Sequence, residues 1–410
     1  MCVNPTTGDD NQHLVRGLRG FDSISRMLRS EFYRDHRTEL RALLNEPRIY
    51  EFEGAAPRLK SFLRVVQWNI EYGIRLDGIV DALTNHPLLR FADVILLNEV
   101  DDGMLRSGNA NVARELGERL RAHVIYGVEY LELGTSGPGQ GEGPGENTVA
   151  LHGNAILTRH PFRDPQIIRL PRCENNFASA QKRLGGRLGL ILDIEPAAGD
   201  RMTVAAVHLD VVNRPPCRRN QIHALLEAIE ARLSGGKRRA LVAGDLNTHT
   251  FVRGGRIRAF RNLVRVLAAD QQRLAAELLH PEDQEPALGE LTRSGYDLDG
   301  FNDRLPTQRM GGGALGDASG LPDVVRRLAL KRLGPAGLML QFRLDWIAAR
   351  GLSPLGAGEC ADEPTGEASA PPKTITGLTH EGRPLSDHDP IVADIPFTSP
   401  FCPAVAGRRE

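Results

Sequence analysis

The 410-residue chain has no run approaching the ~20 apolar residues that span a bilayer, and Met1-Cys2-Val3-Asn4-Pro5 leads into polar sequence. Neither a membrane span nor an apolar secretion signal is read here, so a cytoplasmic setting is expected. It also lacks an excess of either charge: 51 Lys and Arg stand against 52 Asp and Glu, a net charge of -1. No global field draws it to nucleic acid or to an anionic membrane, and any polyanion contact has to be local. Aromatic residues make up only 5%, which leaves few platforms for stacking bases. The five cysteines (Cys2, Cys173, Cys217, Cys360 and Cys402) are scattered with no C-x-x-C pair, so free thiols are expected and a cysteine zinc site is disfavoured. No H-E-x-x-H or H-x-H pair supports a histidine zinc site either. Asp297-Leu298-Asp299-Gly300-Phe301-Asn302-Asp303 lacks the ligand spacing and closing glutamate of a calcium loop.

What the chain does have is hydrophobic residues at 41%, ample for a core, arranged as short Val, Ile and Leu runs with helical stretches between some of them. Residues 1–60 form an N-terminal helical extension, with Leu14, Leu18, Phe21, Ile24, Met27 and Leu28 at helical spacing. Strands are expected at Phe62–Trp68, Asp93–Leu97, His123–Leu131, Thr148–Leu157, Arg187–Ile194, Met202–His208, Ala240–Ala243, Phe342–Ala348 and Ile391–Ile395. Helices are expected at Asn111–Arg121 and Arg218–Leu233. Strand pairs without a helix between them argue for antiparallel pairing inside an α/β architecture. The main domain runs over 61–398, interrupted by a Gly/Pro loop at 134–145, a long excursion at about 250–337 and a low-complexity loop at about 357–374, with a tail at 399–410. The excursion opens on a basic amphipathic run, Arg253, Arg256, Arg258, Arg261 and Arg265, the chain's best local candidate for a polyanion contact.

Polar residues recur where these apolar runs end. Val65-Val66-Gln67-Trp68-Asn69 delivers an amide, and Val94-Ile95-Leu96-Leu97-Asn98-Glu99 delivers a carboxylate after four residues that should be buried. Such a carboxylate is costly unless it stands at an open strand end or meets a cation. Gly153-Asn154 and Val204-Ala205-Ala206-Val207-His208 follow the same form. In Leu241-Val242-Ala243-Gly244-Asp245-Leu246-Asn247 a carboxylate and an amide stand two residues apart, on one face if extended geometry persists. Arg343-Leu344-Asp345-Trp346 places a carboxylate on an apolar strand, and Ser386-Asp387-His388-Asp389 offers the imidazole that could partner it.

In this order the clusters resemble the endonuclease/exonuclease/phosphatase superfamily, over about residues 62–397. The resemblance implies an α/β fold of the deoxyribonuclease-I-like kind, a four-layered α/β sandwich in which two mixed sheets pack face to face with helices outside. It implies a metal-dependent phosphoesterase, with Glu99 binding a divalent ion and Asn69 and Asp387 contributing. All-oxygen ligands suit Mg²⁺ or Mn²⁺. Asp245 matches the residue that orients or deprotonates water, and Asn247 one that donates to a non-bridging oxygen or holds that aspartate. His388 then contacts the phosphate, with Asp345 fixing its tautomer, and Asn154 lies beside the phosphate. His208 matches a second histidine of the deoxyribonuclease-like and sphingomyelinase-like branches and points away from the abasic-site repair branch.

The core leaves the substrate open. A phosphodiester, nucleic acid included, is the first reading, and a lipid or inositol phosphate the second. A catalytically silent scaffold of the same fold is disfavoured because no acidic or imidazole position is missing. No obligate protein partner is evident.

Overall fold

In the computed structural model, the described residues are 11–134, 145–173, 175–178, 181–197, 200–211, 215–233, 239–250, 261, 264–265, 270–311, 339–360 and 363–396. Arg253, Arg256 and Arg258 of the basic run, the loop residues 135–144 and the tail beyond 396 lie outside them.

The apolar runs form strands, and several extend past the expected ends into the polar residues that follow. One sheet contains β1 (Arg48–Tyr50), β2 (Phe62–Tyr72), β3 (Val94–Asp102), β4 (His123–Glu132), β5 (Leu151–Thr158), β7 (Arg183–Gly185), β14 (Lys373–Thr374) and β17 (Ile391–Pro396). Its order is β1-β4-β5-β3-β2-β17-β14, with β7 also paired to β4. The other contains β6 (Phe162–Arg169), β8 (Leu188–Ile194), β9 (Met202–His208), β10 (Ala240–Asp245) and β13 (Asp345–Arg350), in the order β13-β10-β9-β8-β6. Two small hairpins, β11 (Gln308–Gly311) with β12 (Met339–Phe342) and β15 (Thr379–His380) with β16 (Arg383–Pro384), stand apart. Both large sheets are mixed: β2 with β3 and β9 with β10 run parallel, among antiparallel neighbours.

The strand expectations need correction at several places: β1 lies inside the expected helical extension and pairs with β4, and β7, β11, β14, β15 and β16 are not among the expected strands. The run Phe342–Ala348 is divided, because Arg343 and Leu344 leave the β11–β12 hairpin and bond to Leu278 O and Thr307 Oγ1 before β13 joins β10. Strand β6 is missing from the sequence expectation: Pro165 interrupts its pattern, and the strand lies at a sheet edge with a register shift between Arg163 and Gln166, where proline is tolerated.

Alternation sorts the strand residues between the core that the sheets share and the outer faces that pack on helices. Leu63, Val65, Val94, Leu96, Ile125 and Ile156 meet Leu188, Leu190, Val204, Ala206, Leu241 and Ile347 between the sheets. The opposite face of the first sheet, including Val66, Trp68, Ile95 and Leu97, packs on helices α4 (Leu76–Asn85) and α5 (Val112–Leu120). On the far side, α6 (Pro215–Arg232) lays Ile222, Leu225, Leu226 and Ile229 on Ala205, Val207 and Val242 of the second sheet. Helices therefore flank two facing sheets, as the four-layered expectation has it.

The N-terminal region is helical at α1 (Gln12–Arg19), α2 (Ile24–Arg29) and α3 (Glu31–Asn45). Ser23 and Ser30 cap the second and third by accepting from Arg26 N and Tyr33 N. Leu14, Val15 and Leu18 are buried in the core beside the first sheet, whereas Leu28, expected on the apolar face, is 46% exposed. No helix among the described residues is long and apolar enough to cross a membrane.

The expectation of free thiols is overturned. Cys173 and Cys217, 44 residues apart, form a disulfide with a Cα–Cα distance of 6.1 Å, and Cys360 is also disulfide-bonded. The segment after β6 and the first turn of α6 converge on the same sheet, a proximity that sequence spacing does not reveal.

Gly244 fixes the approach of β9 to β10: a Cβ there would lie 1.7 Å from the Val207 carbonyl oxygen. Because the obstacle is backbone, Gly244→Ala should cost about 1–3 kcal/mol or more through overpacking. Urea unfolding checks this, and an unchanged midpoint would remove the constraint.

Candidate active site

The inter-sheet face that is aliphatic along most of its length turns polar at one end. On β2 the inward positions run Leu63, Val65, Gln67, Asn69; on β3, Val94, Leu96, Asn98; on β10, Leu241, Ala243, Asp245. The same progression places Asn154 on β5, His208 on β9 and Asp345 at the start of β13 at this end. Register then sets neighbours: Asn69 is paired with Asn98, and Asp245 stands between His208 and Asp345. Asn69, Asn154, His208, Asp245 and Asp345 are thus brought together by strand alternation and register.

Asp345 and His388 are the most tightly coupled pair. His388 Nδ1 lies 2.7 Å from Asp345 Oδ2, while Gln67 Nε2 donates to Asp345 Oδ1 at 2.9 Å. An ionised carboxylate only accepts, so Nδ1 carries the proton and Nε2 is turned to the site. Trp68 Nε1 donates to His388 O at 3.0 Å, and Ser386 accepts from His388 N while donating to Asn69 O. Burial alone would lower the imidazole's pKa, but the carboxylates of Asp345, Asp387 and Asp245 outweigh it and hold it well above the ordinary value.

Asp245 is held from several directions. Asn69 Nδ2 donates to its Oδ2 at 3.1 Å and the Asn247 backbone N–H to its Oδ1 at 2.9 Å. Oδ2 is 3.5 Å from His208 Nε2 and 3.9 Å from His388 Nε2. Burial, then the charge of Asp345, raises its pKa from 3.8 to about 6. Asn247 adopts a left-handed φ of 51° and spends its side-chain amide on Leu209 O at 2.9 Å, so its backbone is what holds the aspartate.

His208 belongs to a buried chain of polar groups. Arg187 Nη1 lies 2.8 Å from His208 Nδ1 and donates to Glu129 Oε2 at 2.7 Å. Since arginine cannot accept, Nδ1 is the acceptor and the proton sits on Nε2, facing Asp245. Burial and then Arg187 depress the His208 pKa well below its ordinary value, keeping the ring neutral. Asn154 donates to Glu129 Oε1 at 3.1 Å and accepts from Asn98 Nδ2 at 3.0 Å. Its amide therefore braces this chain.

The third group is acidic. Glu99 has a left-handed φ of 54°, uncommon for a non-glycine residue, and Asp387 beside it is exposed. Burial and then the charge of Asp387 push the Glu99 carboxyl from 4.5 up to about 7. Glu71 is raised for the same two reasons, and its backbone N–H donates to Asn69 Oδ1 at 3.2 Å. Asp245, Asp345 and His388 also offer ligand atoms within 4.8 Å of one another. Asp345 already uses both oxygens on protein donors, and among the described residues Glu71, Glu99 and Asp387 do not converge into a group of this kind.

Gln67, Asn98, Glu71, Arg187 and Gln308 escaped the sequence assignment. The inward period on β2 and β3 could have found Gln67 and Asn98, since polar residues at core positions need a reason. Arg187 and Gln308 carry no such signal.

Replacing Asp345 by Asn removes the charge that most opposes burial at His388, so the imidazole's pKa should fall. A pH titration of the ring followed by NMR checks this; an unmoved pKa would break the Asp345–His388 assignment.

The sequence profile of the endonuclease/exonuclease/phosphatase family matches residues 66–388. A search of curated proteins finds no sequence match. Among solved structures, an endonuclease/exonuclease/phosphatase from Beutenbergia cavernae is 16% identical, with 82% of this chain and 72% of that one covered and a TM-score of 0.44. The human Nocturnin catalytic domain with bound sulfate is 16% identical over 86% of this chain and 98% of that one, with a TM-score of 0.41. A 3'-5' exonuclease from Neisseria meningitidis is 16% identical over 82% and 100%, with a TM-score of 0.43.

Proposed function

The chain belongs to the endonuclease/exonuclease/phosphatase family, whose members are generally phosphoester hydrolases, and from that premise we propose that it is a divalent-cation-dependent phosphoesterase cleaving a phosphodiester by in-line attack of water activated by Asp245. The observation that carries this reading is the opposition of Asp245, anchored by Asn69 and Asn247, to the Asp345–His388 pair. A base and a cation then flank one space, which is what adding water to a phosphate and stabilising its charge require.

Each side chain has a distinct task. Asp245 accepts the proton of the attacking water, and a carboxyl raised to about 6 is a stronger base than an ordinary one at neutral pH. His388 presents Nε2 to the phosphate as a cation or acid, with Asp345 holding the tautomer. Neutral His208, fixed by Arg187, offers its Nε2–H on the other side of Asp245. Glu99, Asn69 and Asp387 would supply oxygen donors to a hard cation: burial and then the Asp387 charge raise the Glu99 pKa, and a cation would relieve both, with Asn69 Oδ1, which accepts from Glu71 N, contributing its second lone pair. Mg²⁺ or Mn²⁺ suits these oxygen donors, and when bound such an ion neutralises phosphoryl oxygens and the leaving alkoxide.

A nuclease-like phosphodiester is the favoured substrate class. Of the basic run, Arg265 pairs with Glu277 at 2.8 Å, so that charge is already matched within the protein.

Asp245→Ala and His388→Ala should each lower Mg²⁺-dependent turnover of bis-p-nitrophenyl phosphate by roughly 10²–10⁴-fold. Wild-type turnover in either variant would sink its role. A panel of DNA, RNA, sphingomyelin, phosphoinositides and nucleotides, run beside Asp245→Ala, separates the nuclease reading from the lipid one. Inertness of the wild type on every substrate would favour the silent scaffold.

A second prediction concerns stability. Glu99 and Asp245 are acids whose folded pKa values, about 7 and about 6, exceed the ordinary 4.5 and 3.8. Their favourable contribution is therefore full below the ordinary range and is lost as pH rises through about 6 to about 7. A cation that compensates the ionised groups should raise the melting temperature more at about pH 8 than at about pH 5.5. Glu99→Gln should remove most of that difference; an undiminished Mg²⁺ effect in this variant would take Glu99 out of the cation site.

A further inference from the structure

The hydrogen bond at His388 Nε2 comes from the long excursion. Gln308, only 7% exposed, places its Nε2 2.9 Å from His388 Nε2 and 3.0 Å from Asp387 Oδ2. Asp387 accepts from the amide, so its nitrogen is turned inward, against an imidazole nitrogen that accepts from it when the ring is neutral and becomes a second donor when the ring is protonated. The backbone that carries Gln308 is fastened to the same machinery. Thr307 Oγ1 accepts from Leu344 N and Asp345 N at 3.0 and 3.1 Å, and Thr307 O accepts from Asp389 N at 2.7 Å. On the other side, Arg309 pairs with Asp389. The amide is thus positioned from both flanks by residues adjoining the Asp345–His388 pair.

We propose that Gln308 is a phosphate-binding residue supplied by the excursion: its nitrogen and His388 Nε2, in contact at 2.9 Å, part as the substrate binds, and an oxygen of the phosphate replaces that contact, accepting from Gln308 Nε2–H and from the Nε2–H of the protonated imidazole. This rests on the phosphoesterase reading above. A neutral donor is suited to the place, because it favours the anion without repelling His388, and Asp387 keeps its orientation when the oxygen arrives. Donors fixed before the charge arrives need no reorganisation, which is what makes them effective.

The test compares wild type with Gln308→Met, which keeps the volume and removes the donor, and Gln308→Glu, which adds a charge facing the phosphate. Steady-state hydrolysis of bis-p-nitrophenyl phosphate with Mg²⁺ is measured beside calorimetric binding of inorganic phosphate. Gln308→Met should raise both KM and the phosphate Kd by about 10-fold, the size of one hydrogen bond to a charged group, with a smaller change in kcat. Gln308→Glu should bind phosphate more weakly still. Unchanged KM and Kd in both variants overturn the proposal, and so does tighter binding, which would make the amide a plug instead of a ligand. Should Gln308→Met fail to fold, the phosphate Kd of folded Gln308→Glu decides by itself. An inert wild type would count against the phosphoesterase reading, whereas an active wild type matched by both variants would count against Gln308 alone.

Discussion

The constraint on which this structure depends is the two-residue period of the strands that face each other across the sandwich. Inward positions must be apolar for as long as they lie between the sheets, because a polar group there loses water without replacement. At one end the same positions become Gln67, Asn69, Asn98, Asn154, His208, Asp245 and Asp345, each of them buried. They are tolerated because they satisfy one another: Gln67 serves Asp345, Asn69 serves Asp245, and Asn98 accepts from Asp245 N at 2.8 Å while donating to Asn154. The site is therefore the polar continuation of the core.

That continuity explains what was legible in the sequence. Strand ends are readable because an apolar run stops at a polar residue, which located Asn69, Glu99, His208, Asp245 and Asp345 without coordinates. What could not be read is how residues far apart in the chain divide their hydrogen bonds. Asn247 has an apt side chain, yet its left-handed backbone turns that amide to Leu209 O and leaves the N–H to hold Asp245. Asn154 is likewise spent on Glu129 and Asn98. The disulfide at Cys173–Cys217 escaped for a related reason, since cysteine spacing says nothing about which helix returns to which strand.

The two histidines show how environment divides one residue type into two roles. Both are buried, and desolvation alone would leave both neutral. His388 faces three carboxylates and is held protonated, whereas His208 faces Arg187 and is held neutral. Asp245 lies between them, within 3.5 Å of one and 3.9 Å of the other. An aspartate placed between a cation and a neutral N–H keeps its charge at neutral pH while remaining a better base than an exposed one. Burial and then the charge of Asp345 raise the Asp245 pKa, while the charge of His388 lowers it.

The excursion adds a different kind of control. A sandwich end formed only by strand termini presents groups whose spacing is fixed by sheet geometry, at intervals the fold dictates. Thr307 and Gln308 come from outside that lattice, yet they bond to backbone and side chain at Asp345 and His388. A residue delivered this way can occupy a position that no strand end reaches, here the Nε2 face of the imidazole. Its cost is the ordering of a long connection, offset in part by buried anchors such as Arg343, whose guanidinium binds Asp303 at 2.8 Å and lies over Trp346. Trp346 in turn donates to Thr248 Oγ1 at 2.9 Å, three residues beyond Asp245. The excursion is thereby tied through Arg343, Trp346 and Thr248 to the strand that carries Asp245, so its placement and the orientation of Asp245 are parts of one packed unit.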